Sequence, residues 1–242
     1  LARRRFFVDQ IHDGRAELTG DDARHLSRVL RVEPGQRYEL SDNQCAYLAE
    51  IDAVAPAHVA FRILEALPAP RPVPQIALYA ALIKFDRFEW VVEKATELGV
   101  ARVVPVITER AEKGLAGAAP KRLERWRKIA RESSQQSRRL QIPEIRPAEP
   151  FTTAVSAPAS FRFFLDENPA TSSLLSVLPP DPARDDLFSI LTGPEGGWTD
   201  RERTLALAAG WKPVSLGPNI LRAETAAIAG LAVLSQVRVA SH

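Results

Sequence analysis

Cysteine is almost absent from this 242-residue chain: Cys45 stands alone, so no disulfide can close within it and no cysteine-rich zinc site can be built. Histidine is scarce too, and after residue 70 the only one is His242. That removes Ser-His-Asp and Cys-His nucleophile systems from the larger part of the chain, and leaves little scope for a histidine metal site. The metal expectation is therefore none. No apolar stretch approaches the roughly 20 residues that span a bilayer. The opening LARRRFFVDQ also lacks the apolar centre of a signal peptide. Both point to a cytoplasmic protein with no membrane partner. A large charge excess is missing as well. The net charge is +2, and residues 1–70 carry nine arginines against eleven acids. Any nucleic-acid contact must come from local patches. Finally, neither G-x-G-x-x-G nor G-x-x-x-x-G-K-[ST] occurs, so the dinucleotide and P-loop fingerprints are absent.

What is present falls into two parts. LPAPRPVP (67–74) alternates proline with other residues, a pattern that favours a stiff extended linker. Before it, RFFVD, QRYELS, AYLAEID and HVAFRILEAL read as short strands, with one helix over 21–31. That is the pattern of a small barrel, assigned to residues 1–70. After it, strand and helix alternate. IALYAALI (76–83) is a near-continuous apolar run, as expected of a buried parallel strand. Asp86 and Glu89 have capping-box spacing, and Phe88, Val91, Val92, Ala95 and Leu98 share a helical face that Gly99 ends. RVVPVIT, SFRFFLDE, DLFSILTG and KPVSLG supply further strands. Residues 74–242 are therefore expected to form an α/β domain with a mostly parallel sheet.

Two glycine loops follow strands in this second part. The first is Gly193-Pro194-Glu195-Gly196-Gly197, leading to Thr199 and Glu202 at capping-box spacing and a helix that ends near Gly210. The second lies within SLGPNILRAETAAIAGLAVL (215–234). In open α/β sheets the ligand crevice lies beyond the carboxyl ends of the strands. Either loop alone is equally well a tight turn; the pair, with Arg222 and Glu224 beside the second, favours a site.

LTGPEGGWTDRE followed by LGPNILRAETAAIAGL resembles the paired C-terminal motifs of the RsmE family, SPOUT-class methyltransferases of N3 of a uridine in small-subunit (16S) ribosomal RNA. RRRFFV, RHLSRVLR, KFDRFEWVVEKATELGV (84–100) and, more loosely, QQSRR (135–139) extend the resemblance over nearly the whole chain. The resemblance implies an N-terminal PUA-like barrel that helps hold RNA. It also implies a C-terminal α/β domain with a trefoil knot, S-adenosylmethionine in that knot, a homodimer, and a small-subunit RNA or assembled subunit as partner. Glycine loops suit the cofactor, because without a Cβ the backbone can approach the adenine. This places Thr192, Gly193, Glu195, Gly196, Leu216, Gly217, Leu221, Ala223 and Thr225 around it.

Uridine N3 is a weakly acidic imide, so methylation needs its proton removed and the resulting anion stabilised. Arg222 is the expected cation, Glu195 the expected base or sulfonium partner, and Glu224 the rival. A carboxylate in the first turn of a helix, as Glu224 would be, is favourable for dipole reasons alone.

On the RNA side stand Arg3, Arg4 and Arg5 beside Phe6 and Phe7, then Arg24, Arg28 and Arg31 at helical spacing. Lys84, Arg138 and Arg139 join them, the last two at the end of a basic stretch over 120–140. Against the family pattern, Asn219 stands where arginine is usual, Phe85 replaces a glycine, and Gln135 and Arg138 replace an acid and a glycine. These departures bear on substrate contacts more than on the glycine loops. The same features also admit ribose 2′-O-methylation, or a non-catalytic ribosome-binding factor that keeps the fold.

Overall fold

A computed structural model of the protein describes residues 4–71, 73–168 and 170–240. They divide into two compact units, one within Leu1–Arg71 together with Arg131–Ile142, the other within Pro72–Ala130 and Pro143–His242. Residues 131–142, placed by the sequence reading in the second domain, thus group with the first.

The first unit holds β1 (Arg5–Phe7), β2 (Ile11–His12), β3 (Arg15–Thr19), α1 (Gly20–Arg24), β4 (Arg37–Ser41), β5 (Ala46–Ala55) and β6 (His58–Ala66). Its six strands form a mixed sheet in the order β1-β4-β5-β6-β3-β2, with β1 and β4 parallel and the other pairs antiparallel. The β2–β3 hairpin, which the sequence reading passed over, turns on Asp13 (φ 48°) and Gly14 (φ 70°). Two successive positive φ values make the tight loop whose twist matches paired strands, and Asp-Gly is a preferred sequence for it. Along β3 the side chains alternate, Ala16 and Leu18 inward. They meet Phe6, Leu26, Leu40, Ile51, Val59 and Phe61 in one core.

The helix expected over 21–31 is shorter and wider than α-helical spacing assumes. α1 passes into a π-helical turn over His25–Leu30, and Arg31 leaves it in the left-handed region (φ 50°, ψ 49°). Arg31, in the left-handed region, therefore leaves the single α-helical face that was expected to carry Arg24, Arg28 and Arg31. Residues 131–142 are tied to this unit by polar contacts. Arg131 pairs with Asp22 (2.9 Å) and donates to the Phe7 carbonyl (2.6 Å), and Ser41 Oγ donates to the Leu140 carbonyl (2.6 Å).

The second unit contains β7 (Gln75–Ala81), α2 (Phe85–Glu97), β8 (Arg102–Ile107), α3 (Leu115–Ala118) and the start of α4 (Leu123–Gln136). There follow β9 (Glu144–Ile145), β10 (Glu149–Pro150), α5 (Phe151–Val155), β11 (Phe161–Leu165), α6 (Leu174–Val177), β12 (Leu187–Thr192), α7 (Asp200–Ala208), β13 (Lys212–Val214) and α8 (Ala223–Ala240). Its strands pair in the order β10-β8-β7-β12-β11-β13, with β9 also beside β8, and every pair is parallel.

A parallel sheet covered on both faces needs strands that are apolar throughout, and six of the seven residues of β7 are buried. On one face Tyr79, Leu191 and Trp211 pack with Phe151 of α5 and Ala206 of α7. On the other, α8 lies against β7, β12 and α2. α2 buries Phe88, Val91, Val92 and Ala95 as its spacing predicted, each of the larger three contributing roughly 1.5–3 kcal/mol. Its start differs from expectation. Lys84 is the N-cap, with no side-chain cap, so Asp86 lies in the first turn instead of capping it. The Thr199–Glu202 capping box does form.

Candidate active site

The carboxyl ends of β11, β12 and β13 open onto a cavity of about 860 Å³. Both glycine loops line it. From the first come Gly193, Pro194, Glu195, Gly197 and Trp198; from the second, Leu216 through Arg222 without a break. The first loop is shaped by a turn in which the Gly197 N–H donates to the Pro194 carbonyl (2.9 Å), with Gly197 at φ 68°. Behind it, Arg110 donates to the carbonyls of Gly196 (3.0 Å) and Trp198 (3.2 Å). The Trp198 ring is buried and its Nε1 donates to the Leu165 carbonyl (2.8 Å), which fixes the wall on which Gly193 lies. In the second loop Gly217 sits at φ 127°, beyond the ordinary range of a side-chain-bearing residue.

Of the residues expected to hold a cofactor, Gly193, Glu195, Leu216, Gly217, Leu221 and Ala223 line the cavity. Thr192, Gly196 and Thr225 do not: Thr192 is buried within β12, Gly196 backs onto Arg110, and Thr225 is exposed on α8. Of the three reaction candidates, Arg222 and Glu195 are on the wall. Glu224 is buried behind it, and its Oε2 has no hydrogen-bond partner among the described residues.

Several wall residues were missed. Arg87 reaches from the first turn of α2 to pair with Glu195, and its Nε lies 4.0 Å from Glu224 Oε1. Asp166 and Glu167, at the carboxyl end of β11, form another part of the wall with Arg203. Arg203 meets Asp166 through two nitrogens (3.1 and 3.3 Å) and also donates to the Trp198 carbonyl (2.9 Å). The hydrogen bond to Asp166 raises the Arg203 guanidinium above its ordinary pKa. The signal for Asp166 and Glu167 was available, since they are the last two residues of the predicted strand SFRFFLDE, at the end where crevice residues gather. Arg87 had none beyond its place after β7.

The structure separates the basic residues expected on the RNA side. Arg3 lies outside the described residues. Arg5 pairs with Glu39 (2.8 Å), which also takes Arg138, and Arg4 contacts His25 Nε2 (2.9 Å). Arg24 pairs with Asp21, and Arg139 is half-buried. Arg28, Arg31 and Lys84 are exposed, and none of them forms an ion pair among the described residues.

Comparison with known proteins gives this geometry a context. The pattern of a family described as an RNA methyltransferase domain matches residues 69–235. A ribosomal RNA small subunit methyltransferase E of Synechocystis sp. is 33% identical over 244 residues, spanning 94% of this chain and 75% of that protein. A ribosomal RNA small subunit methyltransferase E from Neisseria gonorrhoeae, solved bound to S-adenosyl methionine, superposes with a TM-score of 0.86 at 29% identity, covering 97% of both chains. A Legionella pneumophila protein described as a methyltransferase, solved with the cofactor SAM, gives 0.87 at 31% identity over 98% of both.

Proposed function

This chain belongs to the ribosomal RNA small subunit methyltransferase E family, and we propose that it moves the methyl group of S-adenosylmethionine to N3 of a uridine in small-subunit ribosomal RNA. One observation carries the proposal: two glycine loops, distant in sequence, meet on a single cavity at the carboxyl edge of a parallel sheet. The cavity fits the cofactor. It has apolar wall for an adenine in Leu165, Val214, Ile220 and Leu221, loop backbone unobstructed by Cβ atoms, and carboxylates at Asp166 and Glu167 for polar groups. Gly193, Leu216, Gly217, Leu221 and Ala223 hold the cofactor in this reading, and Glu167 accepts from its hydroxyls.

Bound S-adenosylmethionine supplies an electrophilic methyl on a cationic sulfur. The protein must hold the imide in line and manage its charge. Arg222, on the wall and exposed, donates to a carbonyl oxygen that gains charge as the N3 proton leaves. Glu195, also on the wall, is the carboxylate that accepts this proton, and Glu224 lies buried behind the wall. Holding both substrates in register supplies much of the remaining acceleration.

The reading extends to the rest of the chain. The first unit, in which the β5–β6 pairing is bulged at two places, serves as a PUA-like barrel that holds RNA, with Arg28 and Arg31 as cations that form no ion pair among the described residues; in the second unit Lys84 is such a cation. The loops around the cavity form the trefoil knot, and two copies of the chain make the working dimer. No helix among the described residues is long and apolar enough to cross a membrane; in this reading the protein works in the cytoplasm, where its RNA substrate is.

The test is incubation with labelled cofactor and small subunits, followed by nucleoside mapping. Label on uracil N3 is expected. Label on a ribose would select 2′-O-methylation, and tight cofactor binding without transfer would select a ribosome-binding factor.

A further inference from the structure

Arg87 is a cation that the reaction described above leaves unused. It lines the cavity from the first turn of α2, its side chain about one-third exposed (34%). Two carboxylates from different elements face it: Glu195 of the first glycine loop is hydrogen-bonded at Nη1, and Glu224 of α8 stands 4.0 Å from Nε as a counter-charge without a hydrogen bond. A guanidinium carries five N–H donors in a rigid plane. These two contacts leave Nη2 without a partner among the described residues. The arrangement matters because an arginine on a wall is otherwise free to swing, whereas one set between two anions presents its remaining donors in a fixed direction.

Glu224 explains the arrangement from the other side. Its side chain is 8% exposed, and one of its oxygens has no hydrogen-bond partner among the described residues. A buried carboxylate in that condition is destabilising unless a counter-charge offsets it. An apolar residue at position 224 would avoid the cost altogether. Retaining the carboxylate makes physical sense if its task is to hold Arg87.

We infer that Arg87 is a second catalytic cation beside Arg222, and that Glu195 and Glu224 orient it so that its free N–H groups meet a carbonyl oxygen of the deprotonated uracil. The inference rests on the uridine-N3 reading. Loss of the N3 proton spreads one negative charge over two carbonyl oxygens, one on each side of the nitrogen. A single arginine beside one oxygen leaves the other to water, and two arginines on the wall can serve both.

The test is Arg87→Lys, which keeps the charge but replaces the planar fork with a single ammonium. With small subunits as substrate, kcat falls roughly tenfold or more, and the rising limb of the kcat–pH profile moves to higher pH because the imide anion has lost a partner. S-adenosylmethionine affinity, measured by calorimetry, stays within about threefold, and the thermal midpoint is retained. A purely structural counter-charge predicts the opposite. Near-normal kcat with an unshifted profile, or a loss expressed wholly as weaker cofactor binding, overturns the inference.

If Arg87→Lys unfolds, the double variant R87A/E224Q removes the buried charge along with its partner. Wild-type kcat in that variant overturns the role of Arg87, and a lowered, alkaline-shifted profile supports it. Failure of the wild-type protein to label uracil N3 refutes the proposed function itself and this inference with it. Wild-type labelling with an indifferent Arg87→Lys refutes the inference alone.

Discussion

Gly193→Ala offers the sharpest steric test of the cavity. A Cβ at this position would sit 3.0 Å from Trp198 Cε2, 3.2 Å from Nε1 and 3.3 Å from Cζ2. Optimal carbon–carbon separation is about 3.5–4.0 Å, so something must move by roughly half an ångström. The indole cannot be the part that yields. Its ring is 3% exposed, it lies 5.5 Å from the Phe151 centroid and 6.2 Å from that of Phe164, and its N–H is bonded to the Leu165 carbonyl. The 193–197 loop must shift instead, and that loop is cavity wall. Overpacking of this kind costs about 1–3 kcal/mol. If 1–2 kcal/mol of it falls on the loop position the cofactor needs, affinity drops about 5- to 30-fold. Calorimetric titration with S-adenosylmethionine reads this directly, and a thermal melt separates it from global destabilisation. A dissociation constant within twofold of wild type, with an unchanged melt, would refute the reasoning. Gly217→Ala provides the contrast. No atom lies within 4 Å of its Cβ, so any loss there comes from φ 127° alone, a strain of about 1–3 kcal/mol.

Three further outcomes follow from other parts of the structure. Glu202→Ala strips the acceptor from two backbone N–H groups, Glu109 and Thr199, both at 2.9 Å. It should lower stability by about 2–4 kcal/mol in a denaturant titration, and a loss under 1 kcal/mol would contradict that assignment. Arg28→Ala should weaken RNA binding and reduce the slope of log K against log salt by roughly 0.7–0.9, as for one phosphate contact. Arg5→Ala, which breaks the ion pair with Glu39, should instead lower the melting temperature; equal salt slopes in the two variants would erase the distinction. At Glu144, partial burial pulls the carboxyl pKa up, but hydrogen bonds from Arg146 and Arg102 outweigh it and hold the pKa below its ordinary value. A depressed folded pKa means stability that is present above about pH 4.3 and is lost as pH falls through the folded value. Glu144→Gln should therefore flatten the acid limb of melting temperature against pH, and an unaltered limb would disprove the linkage.

The parts of the fold legible in the sequence are those where a single local pattern decides. β7 is apolar throughout because both of its faces are covered, and its position was read to within two residues. α2 buries four of the five residues its spacing predicted, with Leu98 left half-buried as its C-cap, and its N-terminus was misread, because capping-box spacing says nothing about where the first helical hydrogen bond closes. Asp13-Gly14 was a missed opportunity, a local signal as strong as any that was used. The π-helical turn at His25–Leu30 is a different case. Its residues carry an ordinary helical pattern, and nothing local marks the extra residue per turn in a stretch whose one buried side chain is Leu26. Likewise, residues 131–142 belong with the first unit through Arg131, Arg138 and Leu140. Those contacts span about a hundred positions and leave no local trace.

The candidate site divides along the same line. Its backbone component could be read because close approach of main chain to a ligand demands glycine, and glycine at a strand end is visible in one dimension. Its side-chain component could not, because charge placement is a property of three elements meeting. Glu195, Glu224 and Arg222 were noticed only because they sit inside the glycine motifs. Arg87 stands 108 and 137 positions from Glu195 and Glu224 and was invisible, although among the described residues it is the cation that faces both carboxylates. This has a consequence for how the carboxylates are ranked. Read singly, Glu195 and Glu224 are competing candidates for one role. Joined through a shared guanidinium, a substitution at either changes the electrostatic setting of the other, so their effects on turnover should not add. A double-mutant cycle on Glu195→Gln and Glu224→Gln that gave additive losses would dissolve the cluster into two independent residues, whatever each did alone.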